Sequence, residues 1–193
     1  MRVCSGTAKG IILKSPQGTA VRPTCEKVRQ AVFSALAGRV PGSSVLDLYA
    51  GTGAMGIEAL SRGAAEALFV ELSPKCVRII KENLQRTRFL EKTAVIKGDA
   101  LRVVRDLGRQ GQKFDLVIAD PPYETGGLGS GPSLAEKTLK AVLDGGILAP
   151  HSLVILEHSG IEVGSEPTGG LRLLSKKKYG DTVVSTFGLP EED

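Results

Sequence analysis

The 193-residue sequence has few cysteines and histidines and no long apolar run. No apolar segment approaches the roughly 18 residues of a membrane-spanning helix, and the N-terminus, MRVCSGTAKG, has no apolar core typical of a secretory signal. Cys4, Cys25 and Cys76 are odd in number and widely spaced, without a Cys-x-x-Cys motif, and only His151 and His158 could assist them. We therefore expect a cytoplasmic protein whose reduced cysteines pack in the interior, and no metal site.

The net charge of +4 is unevenly distributed along the chain. Residues 1–40 contain seven basic residues and one acidic residue, Glu26. A second basic cluster, RLLSKKKYG, contains Lys176, Lys177 and Lys178. A single basic run is often only a solvated surface, but two such segments flanking a neutral body favour a polyanionic partner.

After the first forty residues, apolar segments with the length of strands alternate with helices. Both faces of the predicted strands are apolar, and helices of about 10–15 residues separate them, which predicts a mostly parallel sheet covered on both sides. The tail is predicted to form two strands joined near Tyr179 and Gly180. Ligands of such sheets bind beyond the carboxyl ends of the strands. The other predicted strands are SVLDLYA, ALFVEL, TAVIKGDA, FDLVIA and SLVILEHS.

The N-terminal part has a different pattern. RVCSGTAKGIIL predicts a small hairpin, and RPTCEKVRQAVFSALAG predicts a helix with Thr24 as its N-cap. We therefore predict an N-terminal extension over residues 1–40 and one α/β domain over residues 41–193. The predicted buried stripe of the helix is Val28, Ala31, Val32, Ala35 and Leu36.

A glycine-rich turn follows the first predicted strand of the sheet. Gly51, Gly53 and Gly56 match G-x-G-x-x-G, in which glycines let a ligand approach backbone amides at the start of a helix. This motif is weak by itself, because glycine is common in strand-to-helix turns. Glu71 ends the next strand, where a carboxylate can accept both ribose hydroxyls. Together these residues favour an adenosine-containing ligand, without separating NAD from S-adenosylmethionine.

Two aspartates near other strand ends extend this interpretation. Asp47 lies within the first strand, where an unpaired buried carboxylate is costly, so it requires loop amides or a cationic ligand. A sulfonium cofactor is cationic, whereas the pyrophosphate of NAD would be repelled. Asp99 could accept a hydrogen bond from an adenine amino group while the backbone of Ala100 reads the ring edge, although Asp99 could equally be the N-cap of the next helix.

The fourth predicted strand ends in Asp120-Pro121-Pro122-Tyr123. Two prolines often only stop a strand, but here they lie between a carboxylate and an aromatic ring. The exocyclic amine of a nucleobase is a poor nucleophile because its lone pair is delocalised into the ring. Hydrogen bonds from that amine to the Asp120 carboxylate and the Pro121 carbonyl would localise the lone pair, and Tyr123 could stack on the base. This pattern favours methylation of a base amine.

Five segments resemble, in order along the chain, the RsmD family: MRVCSGTAKG, RPTCEKVRQAVFSAL, VLDLYAGTGAMGIEALSRGA, DLVIADPPY and YGDTVVSTF. Members of this family are class I methyltransferases that act on a guanine N2 amine of 16S ribosomal RNA. The resemblance implies a Rossmann-like, seven-stranded, mostly parallel sheet with an antiparallel last strand, S-adenosylmethionine as cofactor, and the small ribosomal subunit as partner. It also implies that Arg22, Pro23 and Thr24 contact the RNA substrate.

Other functions were compatible with parts of the pattern. A DNA adenine-N6 methyltransferase uses the same tetrapeptide, but such enzymes need a sizeable domain that reads DNA sequence. A protein-amide methyltransferase usually has asparagine at the position of Asp120. An NAD-dependent oxidoreductase would explain the glycines and Glu71 but not Asp47 or the proline pair. A non-catalytic RNA-binding module would explain only the basic segments.

Overall fold

The computed structural model describes residues 1–16, 26–122, 131–159 and 170–190. The chain divides into two compact units, Met1–Asp99 and Ala100–Asp193. The boundary predicted at residue 40 from the sequence pattern stays a prediction. The helices are α1 (Glu26–Ala35), α2 (Ala54–Ser61), α3 (Pro74–Thr87), α4 (Ala100–Arg109) and α5 (Leu134–Asp144), and the strands are β1 (Ser44–Leu48), β2 (Glu66–Glu71), β3 (Thr93–Lys97), β4 (Phe114–Ala119), β5 (Leu148–Ser159), β6 (Arg172–Tyr179) and β7 (Thr182–Gly188).

The first unit contains three parallel strands in the order β3-β2-β1. The register of β1 on β2 places Asp47 opposite Phe69. Leu46 and Phe69 are fully buried, as expected for strands that are covered on both faces. Each strand is followed by a turn or helix, so the polar residues at the strand ends lie beyond the apolar core.

The second unit contains four strands in the order β4-β5-β7-β6. Strand β4 is parallel to β5, and β7 is antiparallel to both of its neighbours. In the described part of the chain, the strands make up a seven-stranded mixed sheet, and its last strand is antiparallel as predicted. The turn between β6 and β7 contains Gly180 with a φ of 64°, which confirms the predicted position of this turn.

The N-terminal hairpin forms as predicted, with an antiparallel bridge between Arg2 and Ile12. It packs against the C-terminal end of α2. The backbone amide of Thr7 donates to the carbonyl of Ser61 at 2.7 Å, and a Cβ at Gly6 would lie 1.7 Å from that carbonyl oxygen. Glycine is therefore required at position 6 for the hairpin to approach the helix so closely.

Helix α1 differs from its predicted burial at three residues. Phe33, which lies outside the predicted stripe, is 0% exposed. Ala35, placed in the buried stripe, is exposed. Arg29, one of the seven basic residues of the segment 1–40, is 0% exposed. Its guanidinium donates to the carbonyl of Arg2 at 2.5 Å and lies 3.4 Å from the carboxylate of Glu58. Arg29 is therefore part of the packing between α1, the hairpin and α2, and cannot contact RNA.

All eight residues of α2 are buried. A helix buried on every side needs small or apolar residues around its whole circumference, and its one ionisable residue, Glu58, accepts from Arg62 at 2.8 Å and from the amide of Cys4 at 2.8 Å. The N-terminal residues thus cover the helix that begins directly after the glycine-rich turn. In the described ranges, no helix has the length and apolar character required to span a membrane.

Candidate active site

The turn between β1 and α2 has the conformation that its glycines allow. Gly51 and Gly53 have φ values of 55° and 76°, in the left-handed region that side chains rarely adopt. Gly56 is restricted by space: a Cβ there would lie 2.4 Å from Cε1 of Phe69 and 3.2 Å from Oδ2 of Asp47. The third glycine of the motif therefore allows α2 to pack directly on the β2 aromatic ring.

Asp47 is 3% exposed, so the carboxylate in the first strand is buried as expected. Its Oδ2 atom accepts a hydrogen bond from the backbone amide of Gly56 at 2.9 Å. Burial raises the pKa of Asp47 to about 7, the amide of Gly56 opposes this rise, and the negative charge of Glu71 adds to it. A cation beside Asp47 would offset the cost of its burial, so the position favours a positively charged group of a ligand.

Glu71 connects the two strand ends. One of its carboxylate oxygens accepts from the amide of Gly51 at 2.7 Å, and the other accepts from the amide of Ser73 at 2.8 Å. These bonds hold the carboxylate at the glycine-rich turn. Each oxygen has a further lone pair, so the side chain can also accept hydrogen bonds from a pair of ligand hydroxyls.

Two residues near this turn were not singled out from the sequence. Leu72 follows Glu71 and is 67% exposed, although it is a large apolar side chain. Asn83 on α3 is 0% exposed. Its amide donates to the carbonyl of Thr52 at 3.0 Å and to the carbonyl of Lys14 at 3.1 Å, and its Oδ1 accepts from the amide of Lys14 at 2.7 Å. Asn83 therefore joins the glycine-rich turn to the end of the hairpin.

In the sequence, Asn83 could be identified as important by its position on a helix rather than by its residue type. Asn83 lies three residues after Ile80 and one before Leu84, on the apolar stripe of α3. A polar residue on such a stripe must have buried partners, but its partners are 31 and 69 residues away along the chain.

Asp99 and Ala100 lie just after the end of the third strand, β3. Asp99 is exposed and precedes α4, and Ala100 is buried as the first residue of that helix. The amide of Gly98 donates to the carbonyl of Glu71 at 3.1 Å. Within the first unit, this bond ties the chain before Asp99 to the end of β2. The roles of Asp99 and Ala100 toward a cofactor stay predictions.

The Asp-Pro-Pro segment directly follows β4, as the sequence predicted. Asp120 is half-buried, Pro121 is buried and Pro122 is exposed. The preceding residue, Ala119, pairs with Leu156 of β5. The segment therefore follows the part of β4 that is buried and paired with β5, Leu116 to Ala119. Tyr123, Arg22, Pro23 and Thr24 lie outside the described residues.

Lys176, Lys177 and Lys178 lie on β6, which pairs with β7 at the edge of the sheet in the described part of the chain. All three side chains are exposed. Lysines on an edge strand discourage pairing with other chains, and this role is sufficient to explain them. Their proposed contact with RNA stays a prediction. In the ranges that the structure describes, no cluster of three or more histidine, cysteine or carboxylate side chains could hold a metal ion.

Comparison with known proteins identifies the family of the chain. A family model described as conserved hypothetical protein 95 matches residues 1–188. The chain is 33% identical over 191 residues to YlbH of Bacillus subtilis (strain 168), a protein provisionally named as an rRNA methyltransferase, and the match covers 97% of this chain and 98% of YlbH.

It is 32% identical to the ribosomal RNA small subunit methyltransferase D of Escherichia coli (strain K12), over 85% of this chain and 77% of that protein. Among solved structures, yhhF from Escherichia coli, provisionally named as a methyltransferase, superposes with a TM-score of 0.81 at 28% identity, over 98% of this chain and 97% of that one. The fold is therefore the Rossmann-like α/β fold of class I methyltransferases, and the chain belongs to the RsmD family.

Proposed function

We propose that this protein transfers a methyl group from S-adenosylmethionine to the exocyclic N2 amine of a guanine in 16S ribosomal RNA of the small subunit. The observation that carries the proposal is the arrangement around the first two strand ends. A buried carboxylate, a turn of left-handed glycines and a second carboxylate bonded to that turn lie within one unit.

The residues of this arrangement fit S-adenosylmethionine. Asp47 is buried with a raised pKa, so it favours a cationic group nearby. Glu71 is held by two backbone amides and can accept from ribose hydroxyls. The exposed side chain of Leu72 offers an apolar surface to the adenine ring. Gly51, Gly53, Asp99 and Ala100 complete the proposed cofactor set.

When bound, S-adenosylmethionine supplies a methyl group on a positively charged sulfur and becomes S-adenosylhomocysteine once the methyl has left. The task of the protein is to orient the guanine amine and to localise its lone pair. We assign this task to the Asp120 carboxylate and the Pro121 carbonyl, which would accept the two amine hydrogens. Pro122 restricts the backbone beside these acceptors, and Tyr123 would stack on the base.

Orientation and fixed dipoles contribute most of the rate enhancement in such a reaction. The methylated amine carries an extra proton, which passes to Asp120 or directly to water. Neither the methyl transfer nor the loss of the proton requires a metal ion.

The substrate assignment is supported by the relatives. The Escherichia coli relative is named as acting on small-subunit ribosomal RNA, and the Bacillus subtilis relative is named for rRNA. The choice of guanine N2 derives from the resemblance of the motifs. In the same way, we assign substrate contacts to Arg22, Pro23 and Thr24 and to Lys176, Lys177 and Lys178.

The experiment that tests the proposal uses labelled S-adenosylmethionine, small ribosomal subunits that lack the native modification, and mass spectrometry of the nucleosides. N2-methylguanosine is the expected product. N6-methyladenosine, or transfer only to DNA, would contradict the substrate assignment. In a thermal-shift control, S-adenosylhomocysteine is expected to stabilise the protein and NAD is not.

A further inference from the structure

Helix α3 carries an exposed basic face that is distinct from the two basic segments noted in the sequence. Three of its cations are spaced by three residues and therefore lie on one side of the helix. The C-terminal strand of the hairpin runs beside this face and adds a lysine. The residues of this surface, called the α3 surface below, are Lys14, Lys75, Arg78, Lys81 and Arg86, and all are exposed.

Hydrogen bonds hold the hairpin lysine at this position. The backbone of Lys14 is bound on both sides by Asn83, and its ammonium group pairs with Glu82. The guanidinium of Arg86 donates to the carbonyl of Ile12 at 3.2 Å. The cations of two segments distant in sequence are therefore fixed together.

Glu82 is the one acidic residue between Pro74 and Arg88. Its hydrogen bond and ion pair with Lys14 lower the pKa of its carboxyl group, and the charges of Arg86 and Arg78 contribute to this effect. These three cations thus surround a single carboxylate. The α3 surface as a whole has five positive charges and one negative charge.

This charge pattern is unfavourable for the helix itself. Like charges three residues apart destabilise a helix by about 0.2–0.5 kcal/mol per pair. Lys75 lies in the first turn, where the helix dipole disfavours a cation, and that turn contains no acidic residue. A surface needed only for solubility would intersperse both signs. The pattern is understandable if the face binds an anion.

We propose that the α3 surface binds the phosphate backbone of the RNA substrate. From Lys75 to Arg86 the helix rises about 16 Å, and a nucleic acid strand presents one phosphate about every 3.4 Å along its axis. The surface thus matches several consecutive phosphates. This inference rests on the proposed function for the identity of the RNA, but binding can be measured without catalysis.

The test compares two triple variants with the same change in charge. The first is Lys75→Gln, Arg78→Gln and Lys81→Gln on α3. The matched control is Arg105→Gln, Lys137→Gln and Lys140→Gln, which replaces three exposed cations on α4 and α5. For each, the affinity for small ribosomal subunits and for a single-stranded RNA oligonucleotide is measured over a range of salt concentrations.

Each phosphate contact contributes about −0.7 to the slope of log K against log salt for a single strand. The magnitude of the slope is therefore expected to fall by up to about 2 for the α3 variant and by much less for the control. Glu82→Gln is expected to bind RNA more tightly than the wild type, since it removes the one negative charge. All variants should bind S-adenosylhomocysteine with unchanged affinity, which shows that they are folded.

Equal slopes for the α3 variant and the control, or no gain for Glu82→Gln, would refute the inference. Failure of the proposed function can be distinguished from failure of this inference. If the wild type binds RNA with a slope that the α3 variant reduces, but methylates no guanine in the subunit, the surface stands and the substrate assignment falls.

Discussion

Replacement of Asn83 by alanine tests whether one buried side chain joins the glycine-rich turn to the N-terminal hairpin. The variant removes three hydrogen bonds, one with the carbonyl of Thr52 and two with the backbone of Lys14. The bond to Thr52 is buried, so its carbonyl would lose this partner where water is excluded, at a cost of about 1–3 kcal/mol.

The two bonds to Lys14 are only partly buried, so water can replace the lost partner in part. We assign them a net contribution of about 0.5–1 kcal/mol each. The free energy of unfolding of Asn83→Ala should therefore be lower than that of the wild type by roughly 2–5 kcal/mol. Urea denaturation without cofactor measures this difference, and an unchanged m value would show that the denatured state is the same.

If Asn83 had only a structural role, the variant would change only the stability. Asn83 also positions the turn that we assign to the cofactor. Thr52 lies between Gly51 and Gly53, so the variant should bind S-adenosylhomocysteine more weakly by calorimetry. The matched control is Thr138→Val, which removes a partly buried hydrogen bond in the second unit, from the Thr138 hydroxyl to the carbonyl of Leu134. It should lose stability without losing affinity. A stability loss below about 1 kcal/mol, or an equal loss of affinity in both variants, would refute the reasoning.

Three further predictions use other parts of the site. Because the pKa of Asp47 is raised from 3.8 to about 7 in the folded protein, the folded state retains a proton that the unfolded state releases, and stability should decrease as the pH rises from about 4 to 7; Asp47→Asn should flatten this decrease in urea denaturation curves. Asp120→Ala should lower kcat by roughly 10²-fold or more with an unchanged Kd for S-adenosylhomocysteine, and wild-type turnover would overturn its assignment. Gly56→Ala should destabilise the fold by about 1–3 kcal/mol, because its Cβ would lie 2.4 Å from the buried Phe69 ring; Gly38→Ala, with no neighbour within 4 Å, is the control and should be nearly neutral.

The order of strands and helices was predictable because each element carries a local pattern. Apolar runs on both faces predict β1, β2 and β4. A serine followed by a proline is typical of a helix start, and α3 begins at such a pair, Ser73-Pro74. The Ser73 side chain accepts from the amide of Cys76, as an N-cap does. Burial within α1 was less predictable. Arg29 is buried and Ala35 exposed because the hairpin and α2 determine which face of the helix is covered.

The carboxylates of the site could be chosen from the sequence, but their interactions could not. Asp47 is predicted to need a partner because it lies within an apolar strand, and Glu71 is predicted to bind ribose because it ends the next strand. Asp47 bonds to a helix residue nine positions away, and Glu71 to a turn residue twenty positions away. Such pairs depend on which strands become neighbours, and the sequence patterns give only the strands themselves.

What the sequence determined by itself was the alternation of strands and helices, the glycine turn, and the residues at the strand ends, since each of these is a property of a short segment. Only the tertiary structure decided the positions of Asn83, Arg29 and the α3 surface. These depend on a hairpin whose residues lie far from α2 and α3 along the chain, and packing between distant segments sets which polar groups are buried and which cations lie together.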